Sequence, residues 1–155
     1  MEVWRIAKAS SVDDLSGQDA ALNGGRWNHR EHCAVYAGLT PALCALETFV
    51  HAAEVPRWPL KIVRLKLPDI AALYWQPTFA QLPPGWNACP ADIPSMDFGT
   101  TWLNNNEHLG LIVPSAMLNQ AQHIMLNPRH KAISQIEVVD MSDLFYDRRM
   151  SILTG

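Results

Sequence analysis

No unbroken run of eighteen apolar residues occurs in this 155-residue chain, so no segment reads as a membrane-spanning helix. Cysteine is sparse. Cys33, Cys44 and Cys89 form an odd set without metal-type spacing. That points to reduced thiols in a cytoplasmic protein rather than to a disulfide framework. The N-terminus also lacks a basic stretch followed by an apolar one, the pattern of a signal peptide. Basic charge is in deficit: 12 Lys and Arg against 15 Asp and Glu leave a formal net charge of −3. Direct nucleic-acid binding would require a basic face and is not expected. Common catalytic fingerprints are missing too. No G-x-G-x-x-G opens a helix, and no H-E-x-x-H or cysteine pair supports His29 and His32 as zinc ligands, so no metal is expected. Ser115 lacks the G-x-S-x-G elbow of a serine hydrolase.

Six tryptophans and eleven prolines are many for this length and suggest a loop-rich fold with aromatic surfaces. An apolar fraction of 48% is enough for one sizeable core. Without a repeat, linker or low-complexity tract, residues 1–155 read as one domain. "EVWRIA", "CAVYAG", "LKIVRLKLP", "LGLIVP", "AQHIML" and "QIEVVDM" are short strand candidates, with residues 10–32 a polar loop between the first two. Thr40 as cap and Pro41 at the first position predict a helix over about 41–53, with Pro56 beyond its end. The proline-rich stretch from about 76 to 100 reads as a long ordered loop, followed by a short helix over "DFGTTWLNNN". Many short strands with an early helix between them fit an α+β domain better than alternating βαβ units.

Four residues carry candidate chemistry. Glu47 lies in a helix that reads as apolar nearly all round, so its carboxylate is expected at least partly out of water. Such a group needs a partner. Arg5, Arg26 or His51 would supply it in a structural role, and the alternative is a carboxylate facing a cleft. Arg26 follows Gly24-Gly25, which let a ligand approach the backbone. Its planar fork matches phosphate or carboxylate oxygens, though a solvated turn arginine is the plain alternative. Ser115 sits where a buried strand leaves the sheet, and Tyr36 taken alone reads as core.

"VWRIA", "GGRWN", "AVYAG", "ALETFVH", "WLNNNEHLGLIVPSA", "MLNPRH" and a closing "LFYDRRM" occur in the order and approximate spacing of the RES domain, and the chain resembles that family along almost its whole length. The arginine, glutamate and serine for which the family is named map onto Arg26, Glu47 and Ser115. The resemblance implies a fold similar to ADP-ribosyltransferases, with short, mostly antiparallel strands and a few helices around an NAD-binding cleft. It implies the toxin of a bacterial toxin–antitoxin pair that depletes NAD+ by cleaving the nicotinamide–ribose bond. NAD+ would be the substrate, with water or phosphate as acceptor and no resident cofactor. A mono-ADP-ribosyltransferase acting on a protein is the first alternative, and a non-catalytic antitoxin- or nucleotide-binding member the second. The implied partner is an Xre-type helix-turn-helix antitoxin that blocks the active site, in a homo-oligomer or a hetero-oligomer.

By the same resemblance, Arg26 with the amides of Gly24 and Gly25 would hold the pyrophosphate. Glu47 would stabilise the oxocarbenium-like transition state of glycosyl transfer. Tyr36 would stack on nicotinamide or contact its ribose, and Ser115 would bind the ribose or orient Glu47. Asn127, Trp27 and Arg5 would be supporting members. Two positions depart from the family pattern: Glu31, where glycine is common, and His123, where asparagine is frequent.

Overall fold

A computed structural model describes residues 1–52 and 59–153. Seven strands form one sheet: β1 (Glu2–Lys8), β2 (Val35–Gly38), β3 (Leu60–Lys66), β4 (Tyr74–Trp75), β5 (Gly110–Pro114), β6 (Gln122–Leu126) and β7 (Glu137–Leu144). Their order is β4-β5-β6-β2-β1-β3-β7. Every neighbouring pair is antiparallel except β4–β5. With helices α1 (Gln18–Asn23), α2 (Pro41–Ala52) and α3 (Ile93–Asn105), this is an α+β domain.

Alternation of side chains across the strands divides the core in two. On one face Val3, Val35, Val63, Leu65, Ile124 and Leu126 pack with Val12 and Leu109. On the other, Leu111, Val113 and Met125 pack against Trp27, Trp86 and Trp102. Each fully buried aliphatic side chain contributes about 1.5–3 kcal/mol from removal of apolar surface from water. β5 is buried at all five positions, as its unbroken apolar sequence requires. β7 forms an edge and is exposed along almost its whole length; Asp140 and Asp143 pair there with Arg64 and Lys61 of β3.

α2 begins where the sequence places it. The Thr40 hydroxyl accepts a hydrogen bond from the Leu43 amide at 3.2 Å, and Pro41 opens the first turn without needing a donor. Position 53 and Pro56 lie outside the described residues. The expectation that α2 is covered nearly all round is corrected: Leu43, Cys44 and Phe49 face the core, while Leu46 and Val50 are exposed. Two further corrections concern loops. The 10–32 segment is not all loop, because it contains α1. α3 starts four residues before Asp97, inside the proline-rich stretch, with Asp92 as its cap and Pro94 in its first turn. Proline lacks only an N–H that the first turn leaves unpaired anyway.

α3 packs close enough to the Trp27 backbone that only glycine fits at the contact. A methyl group at Gly99 would lie 1.8 Å from the Trp27 carbonyl oxygen. Helix propensity alone says Gly99→Ala should stabilise by about 1 kcal/mol. The clash reverses the sign, and overpacking of about 1–3 kcal/mol is expected to dominate. Chemical denaturation should therefore show a lower midpoint for Gly99→Ala; a higher midpoint would refute this packing.

Candidate active site

The sheet face that carries Trp27 also carries the candidate chemistry, and strand register shows how. Tyr36 and Gly38 of β2 sit directly opposite Met125 and His123 of β6, and His123 is also opposite Val113 of β5. These residues therefore share one face. Gly38 leaves room there for α2, since a Cβ would meet Cys44 at 3.2 Å. The helix then brings Glu47 down onto His123 and onto Ser115, which follows the end of β5.

Glu47 is held by several donors. Its Oε1 accepts the Ser115 hydroxyl at 2.7 Å and faces His123 Nε2 at 2.8 Å. Its Oε2 lies 3.6 Å from His51 Nε2, one helical turn on. The glutamate side chain is 16% exposed and that of His123 18%. Burial pushes the Glu47 pKa up, but hydrogen bonds from His123 and Ser115, with the nearby histidine charges, outweigh it and hold the carboxyl below its ordinary 4.5. Glu47 is thus an ionised carboxylate with one oxygen tied down and the other less committed. An acceptor-only carboxylate makes Nε2 the protonated nitrogen of His123. Ser115 is fully buried, and its oxygen also accepts the amides of Met117 and Leu118 at 3.2 and 3.4 Å. Of the expected partners of Glu47, only His51 is present. Arg5 instead binds the carbonyls of Ser11 and Val12 at 2.9 and 2.5 Å. His123 is the site residue that sequence reasoning left without a role. The available signal was its departure from the family pattern, at a position where asparagine is frequent.

The Gly24–Asn28 segment is a tight turn built on Tyr36. The Tyr36 hydroxyl donates to Asn28 Oδ1 at 2.6 Å and accepts the Trp27 amide at 3.1 Å. Burial pushes this phenol up beyond its usual range, against the pull of the Trp27 amide and the Arg26 charge, so it stays neutral. A methyl group at Gly25 would lie 2.8 Å from that hydroxyl, which is why the turn needs glycine there. The expected amide donors have other partners: Gly24 N–H bonds the Ala20 carbonyl at 2.8 Å and Gly25 N–H the Asn28 carbonyl at 3.0 Å. Arg26 reaches across to the proline-rich loop, donating to the carbonyls of Trp86 and Ala88 at 3.1 and 2.7 Å. Its second terminal nitrogen lies 3.7 Å from Cys89 Sγ.

Two supporting residues are fully occupied by the fold. Trp27 is 2% exposed, stacked on Trp86 and edge-on to Phe98. Asn127 is 1% exposed. Its amide donates to the Leu103 carbonyl and to Asn106 Oδ1, each at 3.0 Å, while its oxygen accepts the Arg129 amide at 3.1 Å. Direct ligand contact by either would require that packing to open. A cavity of about 780 Å³ between α3 and β4 is lined by Trp75, Phe98, Trp102 and His108, among others, and by none of Arg26, Tyr36, Glu47 or Ser115. Among the described residues, no group of three or more His, Cys, Asp or Glu is placed to hold a metal ion, and no helix is long and apolar enough to cross a membrane.

Comparison with known proteins gives a consistent result. The RES domain family model matches residues 2–148. The chain is 36% identical over 153 residues to a protein named Prs ADP-ribosylating toxin from Sphingobium sp. (strain YBL2), covering 95% of this chain and 94% of that one. It is 36% identical to Toxin Res of Yersinia enterocolitica, covering 85% and 87%. Against Toxin Res of Pseudomonas putida the identity is 32%, covering 97% and 99%. A chain in the crystal structure of the M. tuberculosis MbcT–MbcA toxin–antitoxin complex superposes with a TM-score of 0.73 at 20% identity, covering 99% of this chain and 86% of that one, a likeness of fold.

The hydrogen bond from Ser115 has a measurable signature. Removing it in Ser115→Ala should raise the Glu47 pKa, because a donor that favours the ionised form is lost. Carbon-13 NMR titration of the Glu47 carboxyl would read the shift; an unchanged midpoint would exclude the bond. The same linkage makes acid destabilising. A depressed carboxylate contributes stability above its unfolded-state pKa and loses it as pH falls through the lower folded value. Wild-type protein should thus lose this contribution below about pH 4.5, while Glu47→Gln should show a smaller loss over that range in denaturation midpoints.

Proposed function

This chain belongs to the RES domain family, and from that membership we propose that it is the toxin of a toxin–antitoxin pair that cleaves the nicotinamide–ribose bond of NAD+. The observation that carries the reading is the 2.7 Å bond between Ser115 and Glu47, two residues 68 positions apart that converge on one ionised carboxylate. Relatives bearing the names ADP-ribosylating toxin and Toxin Res support a group that handles NAD+ and a toxic outcome.

Departure of nicotinamide leaves positive charge on the ribose ring carbon and oxygen. Glu47 meets that charge. With Oε1 bound to Ser115 and His123, Oε2, which has only His51 at 3.6 Å, is the oxygen available to bind the ribose 2′-hydroxyl and to strengthen its attraction as the cation develops. Arg26 supplies positive charge for the pyrophosphate. Its bonds to the carbonyls of Trp86 and Ala88 anchor the Trp86–Cys89 loop and fix the guanidinium in place, and its remaining N–H groups would bind the phosphate oxygens. Tyr36 positions this arginine through the turn it supports. Ser115 orients Glu47 rather than serving as a nucleophile, since it is fully buried and its oxygen gives its hydrogen to the carboxylate while accepting the amides of Met117 and Leu118.

Water or phosphate is the acceptor in this reading, and the antitoxin silences the enzyme by covering the sheet face that carries Arg26 and Glu47. The name of the Sphingobium relative favours a second reading, in which a protein side chain takes the ADP-ribose. Product identity separates them: free ADP-ribose for hydrolysis, its 1″-phosphate for phosphorolysis, or a labelled protein for transfer.

Purified protein incubated with NAD+ should release nicotinamide. Glu47→Gln retains an oxygen for Ser115 and His123, so it should fold and bind NAD+ normally while losing about a hundredfold to a thousandfold in rate. Arg26→Ala should mainly weaken NAD+ binding. Nicotinamide release at the parental rate by Glu47→Gln would overturn the mechanism, and its absence from the parent protein would overturn the function.

A further inference from the structure

His123 has a second ring nitrogen that takes no part in holding Glu47. Nε2 is committed to Glu47 Oε1 at 2.8 Å, and Nδ1 has no hydrogen-bond partner among the described residues. The side chain is 18% exposed, and the strand partners beside it, Gly38 and Val113, carry no polar side chain that would occupy it. Because the carboxylate takes the Nε2 proton in its hydrogen bond, neutral His123 keeps its lone pair on Nδ1. A carboxylate holding one imidazole nitrogen while the other is free is the arrangement of a general base. We infer that His123 is the general base for the acceptor: it removes a proton from water as the water oxygen bonds to the nicotinamide-bearing ribose carbon.

The step balances. The water oxygen forms a bond to that carbon, and the carbon–nitrogen bond to nicotinamide breaks. Its electron pair leaves with nicotinamide and neutralises the pyridinium ring. The water proton passes to Nδ1, and from there to solvent, giving ADP-ribose, nicotinamide and one proton. Glu47 then has two functions at its two oxygens: Oε2 steadies the ribose cation, and Oε1 fixes the ring of His123 and the tautomer that leaves Nδ1 as acceptor. Neither Arg26 nor Ser115 can replace the histidine, because one is always protonated and the other donates its hydrogen to Glu47.

This inference rests on the NAD+ cleavage reading, and the test keeps the two apart. His123→Gln places an amide N–H near the former Nε2 position and so retains a donor for Glu47, but it has no base. Compared with the parent, it should keep its melting temperature and its KM for NAD+, while kcat for ADP-ribose formation falls about a hundredfold or more. Sodium azide supplies an anionic nucleophile that needs no proton removed. It should restore nicotinamide release by His123→Gln, with ADP-ribosyl azide as product, and should not restore Glu47→Gln, which lacks the charge that stabilises the cation. If the glutamine variant is poorly folded, His123→Asn also removes the base, though its shorter amide gives up the donor to Glu47, and azide rescue is read in the same way. Unchanged kcat in a folded variant, or a loss that azide does not relieve, would overturn the role of His123 while leaving NAD+ cleavage intact. A parent protein that releases no nicotinamide, or forms only modified protein without free ADP-ribose, would overturn the inference from the other side.

Discussion

A single carboxylate oxygen, Glu47 Oε1, carried by α2, accepts hydrogen bonds from two side chains at neighbouring strands: Ser115 just past the end of β5 and His123 in β6. Removing this group from water is unfavourable unless its lone pairs are filled. The two donors fill them and keep it ionised. Because they come from neighbouring strands of one sheet, they also fix where α2 can sit. The same bonds that let the helix bury an acid therefore build a negatively charged point on this face.

The rest of that face is arranged around a second polar centre, the Tyr36 hydroxyl. It folds the Gly25–Asn28 turn onto the sheet by serving the Trp27 amide and Asn28 Oδ1 together. That turn gives its two side chains different partners. Trp27 goes down among Trp86 and Phe98, where it anchors α3 through the close approach at Gly99. Arg26 goes across to the carbonyls of the proline-rich loop. Tyr36 and Gly38 are two residues apart on one strand, so the cationic and anionic centres are held over the same face by the pleat of β2.

How much of this was legible in the sequence depended on the range of the interactions involved. Six strands and α2 were readable because alternation, apolar runs and the Thr40-Pro41 start are local signals. α1 was missed because six residues inside a polar, turn-rich stretch carry no amphipathic period. The start of α3 was misplaced because prolines were read as loop, although Asp92 and Pro94 together form a helix entry. β4 has two residues and exists only through its pairing with β5. Among site residues, Glu47 and Ser115 converge, Arg26 lies over the same face, and the Gly24 and Gly25 amides are bound within the chain. Asn127 and Trp27 are absorbed by packing, which polarity and aromaticity alone do not reveal.

The order of residues by itself determined six of the strands, the start of α2 and the presence of an acid within that helix, because each follows from backbone geometry and hydrophobic period within a few residues. Only the tertiary structure decided which donors meet that acid. Helix α2 contains no group able to satisfy Glu47 fully, and its partners lie 68 and 76 positions away. Register between β2, β5 and β6 sets their positions, and a shift of one residue would turn His123 to the opposite face.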